Sequence, residues 1–600
     1  TDWQYKDLYK EIKIGAKEEV KETFEIRSCD PGRAEEKLID LGTGIVDFPP
    51  YSIVGESANL RVRGGRAKSW KSIYIGEKGD HLKLEEEGGG LAVEEVCLGP
   101  FKEAGERKVE ISLEDGGKHS VIFPVYTSMK DYIEKISKYI YENRFIKDPK
   151  DPDQYAYRSV SPQGESCGKG SVLLLKNRLA AEPLVEEIKQ VEENTVKYIL
   201  PTWLDKDLKP KRKYGSGSDQ FVRMYDIEYI IVQLYLLGTF PDHLLSLNTA
   251  KFYIELAGKL LRYRIEASPD KNHRELEETY LAMTCHWDMD DLLERYAAFG
   301  NEKEVEKIKE LFKSYLEKQR ETLYSGRSMV TEIFFDNAGI AMSTSCLLSL
   351  KEKELGLEAA KLLLPNVAPS NDYRSYAPDR WWEAQAPMYH NLWAANVAKA
   401  MLQAYEAGGG EEYLIASYRS MMPLFYNYDW KVRSARRSLK AGEGVSTYCI
   451  TSPNLNHEAC SHNRFGQQIF VNDSFIRRLK LHGDDWDNGI DLVIYLQSFG
   501  QSCYLEGSRK DPYVVGGNIK KGEEGFLIHS YSAYPVRYYL KPWDMVIERS
   551  SNSYTIDQIL IKEGVCKKVY IGGQVAKENE FLWMKKDGKK EKIYPEFIKR

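Results

Sequence analysis

What this 600-residue chain lacks narrows it first. Its nine cysteines are odd in number, scattered from Cys29 to Cys566 without paired spacing, and read as reduced thiols rather than a disulfide framework. No run approaches the roughly 18 apolar residues of a membrane span. The longest, around IIVQLYLLG, is broken by Gln233. Charge of neither sign dominates, since 85 basic residues against 91 acidic ones leave −6. Nucleic acid is therefore not the expected partner, because phosphate binding needs a concentrated basic surface. The one basic run, Lys206 to Lys213, reads as a solvated connection. There is no GxGxxG after a strand, no P-loop, no HExxH and no GxSxG, and no cofactor is expected. The beginning, TDWQYKDLYKEIK, has no apolar core of a signal peptide. A processed secreted form has no such core either, but the unpaired cysteines tip the expectation toward the cytoplasm.

What is there changes period twice. After a helical start over Trp3 to Lys21, residues up to 126 carry strand-like segments: NLRVRGG, KSIYIGE, HLKLEEE and RKVEISLEDGGKHSVIFPVY. Glu114-Asp115-Gly116-Gly117 marks a hairpin turn. At Thr127-Ser128 the period becomes helical, with Ser128 as N-cap. About eleven helices follow, near 129–145, 171–180, 183–200, 219–237, 247–266, 274–299, 303–322, 329–352, 354–364, 380–406 and 410–426. Long connections are expected over Ile146 to Gly170 and Asn366 to Asp379, and long ordered loops carry function more often than not. After Lys440 strand composition returns in GQQIFVND, DLVIYLQSFGQSCYLEG, GFLIHSYS, VRYYLKPWDMVIER and CKKVYIGG, and FLWMKKDGKKEKIYP closes as a hairpin. No fixed-length repeat is present. The expected domains are 1–126, 127–440 and 441–600.

Three helical segments hold more Tyr, Trp, His and carboxylate than packing needs: SDQFVRMYDIEYIIVQLYLLGTF, LAMTCHWDMDDLLERY and PDRWWEAQAPMYHNLWAANVAKAMLQAY. A helix carrying MYDIEYIIVQLYLLG and a late DRWWEAQAPMYHNLW, inside a β–helical–β order, resemble the six-hairpin glycosidase superfamily, whose toroid several polysaccharide lyases share. The resemblance implies an α+β multidomain chain. Its centre would be an (α/α)6-type helical toroid, flanked by N-terminal and C-terminal antiparallel β-sandwich domains. Substrate would sit at one mouth of the toroid.

Within Asp372 to Trp393, Asp379 is a plausible N-cap, and Arg380, Trp381, Trp382 and Glu383 form the first helical turn. Glu383 and His390, seven apart, share a face of a straight helix, although Pro387 between them can break it. A carboxyl beside indoles is desolvated and suited to general-acid work. The bland alternative is that Glu383 complements the helix dipole while the indoles fill the core. His286 and Asp290 stand four apart, as do Trp287 and Asp291, with Asp288 between them; these read as a base cluster or a solvated face. Tyr225 and Asp226, with Glu228 and Tyr229, open another helix and read equally as sugar ligands or core. Tyr155 and Arg158, with Asp153 and Tyr157, offer one wall of a site. His457, Cys460 and His462 match no standard zinc spacing, and no metal is expected.

The leading expectation is a glycoside hydrolase on an oligo- or polysaccharide, with Glu383 as acid and Asp288 or Asp290 as base; the separation of the pair would set retention or inversion. The alternative is a polysaccharide lyase acting on a uronate glycan by β-elimination, with Tyr389 or His390 moving the proton and Arg374 or Arg380 pairing with the carboxylate. A second alternative is a non-catalytic carbohydrate-binding protein. The partner in each case is carbohydrate, and the oligomeric state stays open.

Overall fold

The computed structural model describes residues 34–75, 82–158, 164–207, 224–266, 289–324, 337–366, 388–390, 394–426, 428, 440–444, 447–449, 488–549, 555–571, 574–575, 582–586 and 589–593. Lys118–Tyr126 pairs with Gly105–Leu113 in the hairpin expected from Glu114 to Gly117. These two strands join Ser52–Ile53, Ala67–Ile75 and Leu82–Val93 in a five-stranded sheet. A three-stranded sheet of Ile45–Asp47, Ala58–Arg63 and Glu95–Leu98 lies against it. Leu60 and Val96 of the smaller sheet and Val109, Ile111 and Val121 of the larger belong to one buried cluster.

Twelve helices of nine or more residues follow among the described residues. They are α1 (Met129–Tyr139), α2 (Gly164–Leu179), α3 (Val185–Glu193), α4 (Met224–Leu237), α5 (Ala250–Glu266), α6 (Met289–Ala298), α7 (Glu302–Tyr324), α8 (Asn337–Ser349), α9 (Lys353–Leu363), α10 (Ala394–Glu406), α11 (Glu411–Met421) and α12 (Asn488–Gln497). Ser128 caps α1 as expected, its Oγ accepting from the Asp131 backbone N–H at 3.5 Å. The helices sort by amphipathicity. α1 and α7 carry one apolar stripe, whereas α2, α4 and α12 are buried nearly all round, which places them inside. α4, α2, α12, α10 and α8 contact one another in that order. α6 continues the ring: Tyr235 of α4 donates to Asp291 at 2.7 Å, and Lys351, in the α8–α9 turn, lies 3.9 Å from Asp290. The mixed α+β chain thus holds a ring of helical hairpins.

Two readings of the sequence are corrected here. Helix α2 begins at Gly164, not near 171, because its glycines are packing positions rather than breakers. A Cβ on Gly168 would stand 3.0 Å from the backbone N of Ile490, and one on Gly489 would stand 2.7 Å from the carbonyl carbon of Gly168. The two backbones therefore approach directly where α12 meets α2. DLVIYLQ, read as a strand, is α12: a short continuous apolar run fits a wholly buried helix as well as a strand, and burial between α2 and α10 decides it. Full burial of side chains such as Leu492, Ile494 and Leu496 contributes about 1.5–3 kcal/mol each.

Beyond α12 lie a six-stranded sheet, from Pro512–Val515 through Ser502–Gly507, Arg537–Leu540, Met545–Arg549 and Leu582–Lys586 to Lys589–Ile593, and a five-stranded sheet that includes Gly525–Ser530, Gln558–Lys562 and Val565–Ile571. Cys503, Tyr538 and Ile547 of the first and Ile528, Ile559 and Val569 of the second share one core. The expected hairpin over FLWMKK and KKEKI is present. The expectation of purely antiparallel sheets is not met. Ser502–Gly507 runs parallel to Arg537–Leu540, and Ser52–Ile53 runs parallel to the end of Lys118–Tyr126. Buried tyrosines tie the sheets to the ring: Tyr405 to Glu506, Tyr504 to Glu406 at 2.9 Å, and Tyr534 to Glu134 at 2.8 Å.

Candidate functional site

The two ends of the helical ring are unlike. Within the hairpins α2–α3, α4–α5, α8–α9 and α10–α11 the connections are short: 180–184, 350–352 and 407–410, with 238–249 the longest. The stretches of sequence leading into four of the inner helices are long: 145–163 before α2, 204–223 before α4, 367–393 before α10 and 427–487 before α12. The first turns of α2, α4, α10 and α12, where these segments enter, lie at one end of the ring and the short turns at the other; α6 is reversed, its first turn lying beside Tyr235 and Lys351 at the short-turn end. Long segments carry binding and catalysis more often than tight turns do.

Helices α2, α4, α10 and α12 also carry buried polar side chains in their first two turns, at the long-segment end. Ser166 and Lys169 of α2, Glu228 of α4, Asn396 of α10 and Asp491 of α12 are all buried. Buried polar groups are costly unless partnered. Glu228 has its counter-ion in Arg264 of α5, at 2.8 Å. Asn396 is different: among the described residues neither its Oδ1 nor its Nδ2 has a hydrogen-bond partner. Nothing in the string AANVAKAM announces that residue, and the sequence reading passed over it.

The wall made by Asp151 to Arg158 is fixed in detail. Asn194 donates to the Tyr155 carbonyl at 2.9 Å and to Ser166 Oγ at 3.2 Å, and Ser166 Oγ in turn accepts from the Tyr157 N–H at 3.1 Å. Gln233 of α4 donates to Asn194 Oδ1 at 2.9 Å and to Thr195 at 2.8 Å. Tyr198 reaches Asp153 at 3.2 Å, and Tyr157 donates to Gln190 at 3.1 Å. Burial pushes the Tyr157 hydroxyl well above its ordinary pKa, so it remains a neutral donor. Tyr155 has a left-handed backbone, φ 71°, costly for a residue with a Cβ and held here by these bonds. Its ring lies 4.7 Å beneath Lys197 Nζ. Asn194 and Lys197 belong to a π-helical turn, Asn194–Ile199, a local rewinding frequent beside functional sites. Arg158 bonds through its N–H to the Arg144 carbonyl at 2.7 Å and lies 3.7 Å from Asp151.

Of the other expected site residues, Tyr225 and Asp226 are in the first turn of α4. Tyr389 and His390 are on a strand, Met388–His390, paired antiparallel with Thr447–Cys449. The expected helix over 380–406 therefore begins only at Ala394, and the shared helical face of Glu383 and His390 is withdrawn. The pairing turns the backbone extended just after Pro387, which cannot donate a helical bond. Asp290 is exposed and lies at the short-turn end, beside Lys351. Glu383, Asp288, Trp381, Trp382, Arg380, His286 and Trp287 lie outside the described residues, as do His457, Cys460 and His462. Among the described residues no group of three or more His, Cys, Asp or Glu is placed to hold a metal, and no helix is long and apolar enough to cross a membrane.

No protein-family model matches the chain, and no curated protein does. Among solved structures, a polysaccharide lyase superposes over 77% of this chain with a TM-score of 0.51 and 11% identity. The chain covers 66% of that lyase, just under two thirds of its length. The likeness is one of fold. A family 76 glycoside hydrolase from a bovine Bacteroides thetaiotaomicron strain matches over 76% of this chain and 98% of its own, at 10% identity and a TM-score of 0.35. A beta-1,2-glucanase from Parabacteroides distasonis matches over 76% of this chain and 73% of its own, at 10% identity and a TM-score of 0.28.

Proposed function

We propose that the chain is a carbohydrate-active enzyme that cleaves a glycan at the long-segment end of the helical ring, an (α/α)6-type toroid with β-sandwiches on either side. The observation that carries this is the buried Asn396, unpartnered among the described residues, six residues after His390 in the sequence and at the same ring end as the pinned Tyr155 loop. On this reading the ring extends through α12, beyond the domain limit expected at 440.

Between the two reactions, β-elimination on a uronate glycan is the better supported. Tyr389 or His390 removes the C5 proton, the C4–O bond breaks as the C4=C5 double bond forms, and a protonated side chain returns a proton to the leaving oxygen. Asn396 hydrogen-bonds the substrate carboxylate. Hydrolysis needs two carboxyl groups facing each other across the bond. Asp290 is at the opposite end, and Asp288 is only two residues from it, so of the expected pair Glu383 alone stays as the candidate acid. A panel of uronate polymers and neutral glycosides distinguishes the two: an unsaturated product absorbing in the ultraviolet reports elimination, and new reducing ends without it report hydrolysis. Absence of turnover on both classes by protein with an intact melting transition leaves the non-catalytic binding protein.

A further inference from the structure

Tyr389 and His390 stand on a ribbon of two strands, three residues each, with Tyr448 opposite Tyr389 and Thr447 opposite His390. A two-stranded ribbon is marginally stable by itself, so where this one lies depends on what its ends are attached to. On one side His390 is followed four positions later by Ala394, the first residue of α10. On the other side Thr447 follows a tight turn, residues 440–444, that is seated against α1.

Gly442 makes the contact. Its backbone is left-handed, φ 80°, a conformation that favours glycine. A Cβ there would strike the Lys135 carbonyl oxygen and would stand 2.5 Å from the carbonyl carbon and 2.9 Å from the Ile136 N. The turn therefore lies directly on the α1 backbone. A Cβ on Gly444 would stand 2.5 to 2.9 Å from atoms of the buried Tyr428 ring. A cavity of only about 30 Å³ separates turn and helix, with Asp131, Tyr428 and Ala441 in its lining. Glu443, itself buried, closes the turn: its N–H donates to the Lys440 carbonyl at 2.9 Å, and its Oε2 accepts from the Lys440 N–H at 3.0 Å. Three residue steps separate Gly444 from Thr447, so at roughly 3.3–3.6 Å a step the strand begins within about 11 Å of the seated turn.

We infer that this turn is a positioning element for the proposed reaction: Gly442 and Glu443 fix, through Thr447–Cys449, the strand that carries Tyr389 and His390. The inference rests on the reading that this strand acts on the substrate. Asn396, which holds the substrate carboxylate on that reading, is on α10 and does not depend on the turn. Misplacing a reacting group by about 1 Å can cost on the order of a hundredfold in rate, so Gly442→Ala should lower kcat by about that factor with KM nearly unchanged.

The test that needs no substrate is hydrogen exchange of the full chain. Gly442→Ala and Glu443→Ala should speed exchange of the amides of 388–390 and 447–449 about tenfold, while those of α2 and α12 keep the parent's protection. Glu443→Gln retains an oxygen for the Lys440 N–H and should stay near the parent. Gly238→Ala controls for general destabilisation, because its Cβ would meet Ile254 Cγ1 at 2.5 Å at the short-turn end. It should lower the melting temperature and leave ribbon exchange and kcat as they are. Ribbon exchange equally fast in the parent, Gly442→Ala and Glu443→Ala, or raised as much by Gly238→Ala, would overturn the inference. Faster ribbon exchange with parental turnover on a competent substrate would uphold the anchor and overturn the reading of Tyr389 and His390, so the two fail separately.

Discussion

The Nε of Arg264 lies 2.8 Å from Oε1 of Glu228, and neither side chain has any exposure to solvent. The pair ties the end of outer helix α5 to the second turn of inner helix α4, directly beneath the ring end that carries Tyr225 and Asp226. A buried ion pair is costly to form and more costly to break, because removal of one partner leaves the other charged in a low-dielectric interior.

Arg264→Ala is therefore expected to lower stability by roughly 3–5 kcal/mol, whereas Glu228→Leu with Arg264→Met should cost much less than the two single changes summed. Chemical denaturation of the four proteins of that cycle gives the answer. Additive losses would show that the pair is not coupled.

Asn396 should behave in the opposite way. Its two amide atoms have no partner among the described residues, so Asn396→Leu removes a desolvation penalty on the order of 1–3 kcal/mol and should leave the melting temperature unchanged or raised. If the amide holds substrate, the same variant loses turnover or raises KM. A stable variant with parental kinetics would take Asn396 out of the site.

The ring-end chemistry separates by three variants on one competent substrate. For elimination, Tyr389→Phe or His390→Ala should lower kcat by about two to four powers of ten, with Glu383→Gln far milder; for hydrolysis Glu383→Gln is the crippling change. Near-parental turnover by all three would move the search to Asp226 and the loop bearing Tyr155 and Arg158, Glu228 being enclosed with Arg264.

Acid sensitivity should localise to the contact between the two β-regions. His529 Nδ1 lies 3.1 Å from Glu56 Oε1 and the Asn518 amide donates to Oε2 at 2.8 Å. The His529 contact first, and the Asn518 bond with it, hold the Glu56 carboxyl down from 4.5 to about 2 against the opposing effect of burial. A carboxyl depressed in the folded state adds stability that is complete above its unfolded value and lost as pH falls through the folded one. Glu56→Gln should thus be less stable than the parent near neutrality, with the gap closing from about pH 4.5 to about pH 2. Melting temperatures across that range check it, and a gap independent of pH would refute the assignment.

The sequence alone determined the order β, helices, β and most helix positions, because each of those elements carries its own period. The Glu114–Gly117 turn, the Ser128 cap and the terminal hairpin were legible for the same reason: each is settled by a few neighbouring residues. The pinned Tyr155 loop was half legible, since its aromatic and polar residues are visible but the bonds from Asn194 and Gln233 come from elsewhere in the chain. Tertiary structure decided the rest. Gly168 and Gly489 look like breakers in the sequence and are instead the points where two helix backbones meet. DLVIYLQ is a helix because it is enclosed by α2 and α10, and an apolar run that short has no period of its own to report. Asn396 gained meaning only when burial left its amide without a partner, a property of the folded surroundings that no local pattern of residues encodes.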